Sequence, residues 1–243
     1  MPRLLFVTLL LALIVTACAS VAPTEPPSII IQRPTATPVP EEPATEPTSR
    51  GPVEQAVVKQ LAANLGLQES EVDVLRSEQV EFRDSCLEVV LEDIACSQVI
   101  TPGYKILLEA HDMQYEYHTS RDGGRIQPAS LALTWKRVGG IAGFCDTLTV
   151  FLSGEVFAGQ CAGKAEGKMG TAADLLSARE QAQFNDWIAE FAETNLDASD
   201  PKGVADRMEV TLKLFGTGSK PPAQADQQEL FKFAQDLYQE VRK

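Results

Sequence analysis

The sequence predicts an α+β protein of two small modules, each an antiparallel sheet with helices packed on one face, behind a disordered tether. Three observations carry this. Runs with period-two alternation, such as LALTWKRV and RMEVTLKLFG, sit close to runs with helical spacing, such as FNDWIAEF. Segments rich in glycine and proline separate them. A long proline-rich stretch before residue 52 carries neither pattern.

Arg3 gives the N-terminus a positive start, Leu4 to Val15 form an apolar run, and Val15-Thr16-Ala17-Cys18 closes it. About 18 or more apolar residues are needed to span a bilayer, so residues 1–17 read as an export signal rather than a membrane span. The ending against Cys18 resembles the lipobox of bacterial lipoproteins. That resemblance implies acylation of the Cys18 thiol and a lipid-anchored, extracytoplasmic protein at the cell membrane or surface. Residues 18–51 read as a linker rich in proline, threonine and glutamate, with no aromatic residue. Such a composition cannot bury enough apolar surface to offset chain entropy. At roughly 3 Å per residue, the linker reaches up to about 100 Å.

The formal charge is −13, which argues against nucleic acid or an anionic lipid surface as a partner. Setting Cys18 aside leaves four cysteines, an even number in an exported chain, and two disulfides are expected. Cys86 with Cys96 and Cys145 with Cys161 are the expected pairs, and neither spacing is that of a zinc site.

The first module is expected over residues 52–121. PVEQAVVKQLAANLGL reads as a helix, with Pro52 at its first position and Gly66 as a left-handed cap. VDVLRSEQVEF, YKILLEA and QYEYHTS read as strands, the last two joined across His111-Asp112. CLEVVLEDIAC between them reads as a loop closed by a disulfide. RDGGRIQPAS is expected to be a connector.

The second module is expected over residues 131–243. LALTWKRV opens it as a half-buried strand. DTLTVFLSGEVFAGQ reads as a hairpin with a three-residue loop Leu152-Ser153-Gly154, which places Phe151 opposite Glu155 and Cys145 opposite Cys161. A Cys145–Cys161 bond encloses 15 residues, worth about 3 kcal/mol on the chain-entropy account. SAREQAQFNDWIAEF reads as a helix with a Ser177/Glu180 capping box and an apolar stripe of Phe184, Trp187, Ile188 and Phe191. RMEVTLKLFG is the next strand. A closing helix carries Leu230, Phe233, Ala234, Leu237, Tyr238 and Val241, giving the order β-β-β-α-β-α.

No catalytic residue, metal ligand or cofactor site is assigned, and no enzyme is expected. HExxH, GxSxG, a phosphate loop and a dinucleotide fingerprint are all missing from the sequence. His118 in YEYH has two readings, a ligand or base and, more ordinarily, a partly exposed packing residue. The glycine cluster RVGGIAGFCDTL is the exception to this plainness. Gly139, Gly140 and Gly143 suit a tight connection between strands. Ile141, Ala142 and Phe144, set among them, suit docking into a cleft.

Two resemblances follow. The helix ending near LGL with the PGYKILLE–YEYH hairpin is similar to the PepSY-type modules of exported bacterial proteins. WKRVGGIAGF, DLLSAREQAQFNDWIAEF and DRMEVTLKLFG, in that order, resemble the emfourin family of small inhibitors of thermolysin-like metallopeptidases. This implies a surface-tethered monomer that binds a secreted zinc metallopeptidase through Gly139, Gly140, Ile141, Ala142, Gly143 and Phe144, and in the stronger form inhibits it. The alternative is a non-inhibitory envelope module that binds another protein or has a structural role.

Overall fold

The computed structural model describes residues 50–89, 91, 94–160 and 172–243. The signal, Cys18 and the linker up to residue 49 lie outside them. The described chain is an α+β fold of two antiparallel sheets and three helices.

Helix α1 (Pro52–Leu65) starts where proline has no N–H to lose, and the Gly51 N–H donates to Glu54 Oε2 at 2.8 Å. Gly66, with φ 69°, ends it. Its buried side, Val57, Val58, Leu61 and Ala62, packs on Ile106, Leu108, Tyr115 and Tyr117 of the first sheet. That sheet runs β1 (Asp73–Phe82), β2 (Thr101–Ala110), β3 (Met113–Ser120) and β4 (Ile126–Pro128) in spatial order. His111 and Asp112, both left-handed with φ 50° and 61°, make the β2–β3 turn.

Two features depart from the expected module. Strand β4 lies inside the stretch read as a connector, pairing Ile126 with Thr119 and Pro128 with Tyr117. Its three residues are too few to show alternation, and its proline sits at a sheet edge, where the missing N–H costs no ladder bond. The face away from α1 is also covered. The segment after β1 folds back over it, leaving Phe82 and Leu87 fully buried, and the Cys86–Cys96 disulfide closes that segment.

The second sheet has six strands in the order β8-β7-β6-β5-β10-β9. These are β5 (Leu131–Gly139), β6 (Phe144–Phe151), β7 (Glu155–Gln160), β8 (Ala172–Leu175), β9 (Ala192–Asp197) and β10 (Met208–Thr217). Helices α2 (Ala178–Glu190) and α3 (Gln224–Val241) share one face. Phe184, Trp187, Ile188, Leu230 and Ala234 meet Leu133, Trp135, Leu148, Val150 and Leu214 there. The capping box at Ser177 is formed in both directions. The β6–β7 hairpin has the expected register: Val150 pairs with Val156, and Gly154 turns with φ 90°.

The order β-β-β-α-β-α is therefore incomplete, because β8 and β9 are additional strands. In AETNLD only Leu196 is buried, so an edge strand leaves almost no alternation to read. It also shortens the preceding helix. Phe191 is buried as the stripe requires, but its backbone is extended (φ −91°, ψ 147°) and starts the run into β9.

Both sheets belong to one compact unit. Met113 and Leu152 pack against both cores. Between them Glu155, 8 % exposed, points its carboxylate back into the first module. Its Oε1 accepts from Asn64 Nδ2 at 2.6 Å, Tyr117 Oη at 2.9 Å and Gln60 Nε2 at 3.3 Å. Ser153 Oγ donates to its Oε2. A buried carboxylate needs such partners, and α1 and β3 supply most of them.

Candidate partner-binding tip

The glycine cluster forms the β5–β6 turn. The Gly143 N–H donates to the Gly140 carbonyl at 3.0 Å, and Gly139, Gly140 and Gly143 have φ of 101°, 72° and 65°. A Cβ at Gly139 would run into the Arg207 carbonyl oxygen, and one at Gly140 would lie 2.8 Å from Met208 Cε. Gly143 has open space around it, so its backbone angle alone calls for glycine. The turn accounts for every glycine of the cluster.

The turn does not account for its side chains. Ile141 is 90 % exposed and Phe144 38 %; Ala142 is exposed too. The connection before β10 lies alongside, tied by the Gly140 N–H donating to the Arg207 carbonyl at 3.2 Å. It adds Val204 as another exposed apolar residue.

The base of this tip is fixed by side chains. Asp146, 3 % exposed, lies in an inward slot of β6 beside Leu148 and Val150. Its Oδ2 accepts from Arg137 Nε at 2.9 Å and from Nη2, and its Oδ1 accepts from Tyr238 Oη at 2.7 Å. The Arg137 guanidinium stacks 4.3 Å from the Phe144 ring and 5.6 Å from that of Trp135. Burial, helped by the Asp146 carboxylate, pushes the Tyr238 hydroxyl up to about 12. From α3 to Phe144 the contacts are continuous, so the tip rests on a rigid base. The sequence pattern placed Tyr238 on the apolar face of the closing helix, but its link to Asp146 and Arg137 was missed. A signal existed: an aspartate in a slot of the apolar alternation needs a buried cation or donor.

Of the cysteines, Cys86 and Cys96 are bonded to each other with 5.6 Å between their Cα atoms. The thiols beside Asp84 are therefore not free to act as metal ligands. Cys145 is disulfide-bonded beside the tip, and its expected partner Cys161 lies outside the described residues. His118 is 5 % exposed, with Nδ1 2.6 Å from the Leu87 carbonyl and Nε2 2.8 Å from Glu116 Oε1. The helix-free face of the second sheet has a depression of about 350 Å³ lined by Lys136, Asn195, Asp197 and Lys213 among others. No tip residue lines it.

Residues 54–128 match a family described as a domain of unknown function, DUF8738. The match runs from α1 to the last residue of β4 and does not reach the tip. No curated protein and no solved structure matches the chain.

Proposed function

We propose that this chain is a lipid-anchored envelope protein whose second module binds and inhibits a secreted thermolysin-like zinc metallopeptidase. The tip Gly139–Phe144 is the binding element, with Ile141 entering the pocket that takes a bulky aliphatic residue after the cleaved bond. The observation that carries this reading is the 90 % exposure of Ile141 on a turn whose backbone and base are both fixed. An isoleucine held in water by a rigid turn gains by burial in a partner. A mobile loop would lose roughly 1–2 kcal/mol of backbone entropy per residue on binding, and a preorganised one avoids most of that. Cys18 supplies the anchor.

The test is inhibition by the unit freed of signal and linker, residues 52–243. It is expected to slow a thermolysin-like peptidase at micromolar concentration. Ile141→Asp should raise the inhibition constant about 30-fold, some 2 kcal/mol, as expected of an interface hot spot, at unchanged melting temperature. An unmodified unit without effect on such peptidases overturns the inhibitor reading. For the anchor, Cys18→Ala should abolish labelling by radioactive palmitate; retained label means attachment elsewhere.

A further inference from the structure

The tip leaves His118 unused, and its surroundings are unusual. The ring lies on β3, almost wholly buried, between two oxygen atoms. Nδ1 is 2.6 Å from the Leu87 carbonyl and Nε2 is 2.8 Å from Glu116 Oε1. A carbonyl and a carboxylate only accept, whereas a neutral imidazole carries a single N–H. Both contacts are satisfied together only when each ring nitrogen carries a proton. The Phe82 ring, 4.9 Å away between centroids, closes another side of the site.

What His118 holds is strained. Leu87 and Glu88 are consecutive non-glycine residues with φ of 60° and 58°. A left-handed backbone is costly for a residue that carries a Cβ, so surrounding contacts must hold it. Asp84 Oδ1 accepts from the Cys86 and Glu88 N–H groups at 2.8 and 3.0 Å. The disulfide ties Cys86 to Cys96, and the Leu87 side chain is fully buried. The Leu87 carbonyl, at the strained point, lands on the imidazole.

We propose that His118 is a doubly protonated clasp that fastens the Asp84–Val89 segment to the first sheet, with a hold that weakens as pH rises. The groups around it fit this role. On β3 the Glu116 carboxylate balances the imidazolium. From β2, Lys105 turns its charge to Glu88 Oε2 at 4.0 Å and lies 6.0 Å over the Phe82 ring. Arg83 also pairs with Glu88, at 3.7 Å. The β4 side presents neutral Gln127 opposite His118, and Arg125 just before it donates to the Ser85 carbonyl. Asp84 is occupied by its own backbone donors. A charged ring donates to both oxygens, so the hold is full when the ring is charged and is reduced when the ring is neutral. A neutral ring keeps one of its two bonds, and the strained Leu87–Glu88 pair then has less to hold it.

The experiment is NMR on the intact ¹⁵N-labelled protein across a pH titration, with exposed His111 as the internal reference. Both His118 ring nitrogens should have imidazolium shifts wherever the 84–89 amides are protected. Protection factors of those amides should fall at least tenfold as His118 titrates, while those of β6 hold. Glu116→Gln removes the charge that demands the second proton but keeps an acceptor. It should flatten the pH dependence of the 84–89 amides without unfolding the sheet. Shifts of a neutral tautomer while the segment is protected overturn the proposal. So does protection of residues 84–89 that tracks β6 through the titration.

Discussion

Strand β6 ends in two glycine turns that look alike in the sequence and behave oppositely in the fold. At one end Gly140–Gly143 stands in solvent with Ile141 almost fully exposed. At the other, Leu152–Gly154 is pressed against the first module, with Ser153 1 % exposed and Glu155 8 %. Each end is secured by a tyrosine hydroxyl donating to a carboxylate: Tyr238 to Asp146 under the tip, Tyr117 to Glu155 at the junction. A glycine turn is thus a means of reversing the chain. Whether it displays or docks depends on what the rest of the fold places beside it.

The comparison breaks most readily at the junction. Glu155→Ala removes the acceptor shared by Asn64, Tyr117, Gln60 and Ser153, and leaves buried donors without a partner. A loss of about 3 kcal/mol is expected, measured by urea unfolding of residues 52–243. A loss below about 1 kcal/mol would mean that the junction is wet and the modules are loosely joined.

At the tip the backbone is the sensitive element. Gly139→Ala sets a Cβ against the Arg207 carbonyl at a φ of 101° and should cost about 2 kcal/mol. Gly143→Ala meets only the left-handed penalty and should cost about 1 kcal/mol. Equal costs would mean that the β10 side of the tip yields.

Alkaline pH separates the two tyrosine–carboxylate bonds. Burial pushes Tyr238 from its ordinary 10 to about 12, and burial followed by the Glu155 charge raises Tyr117 well above 10. A raised folded value means the contribution is whole below about pH 10 and lost as pH rises through the folded value. Between pH 10 and 12 stability should fall, and tyrosinate absorbance at Tyr238 should appear before that at Tyr117. Tyr117→Phe and Tyr238→Phe assign the two signals. The reverse order would make the junction the weaker end.

The smallest effect sharpens the contrast. Ile141→Asp should change unfolding free energy by no more than about 0.5 kcal/mol, because the side chain touches water rather than core. A loss of 2 kcal/mol would make Ile141 a packing residue and remove the display reading of the tip.

Local chemistry determined much of this protein from its sequence. Pro52 and Gly66 bound α1, Ser177 and Glu180 start α2, and the LSG loop sets the β6–β7 register, because caps and tight turns involve only a few neighbouring residues. Alternation assigned Leu133, Trp135, Leu148 and Val150 to one core, and the even cysteine count of an exported chain led to the Cys86–Cys96 pair. The glycine cluster was legible as a turn with apolar residues on it. Only the tertiary structure decided the rest. Strands β4, β8 and β9 are edge strands, recruited by the unpaired edges of neighbours rather than by a pattern of their own. His118 is buried because a segment some thirty residues earlier folds over it. Asp146 has its partners on β5 and α3, and Glu155 has most of its own in the other module. A buried charge is visible in a sequence; the distant groups that satisfy it are not, because chain separation says nothing about which donors meet in the fold.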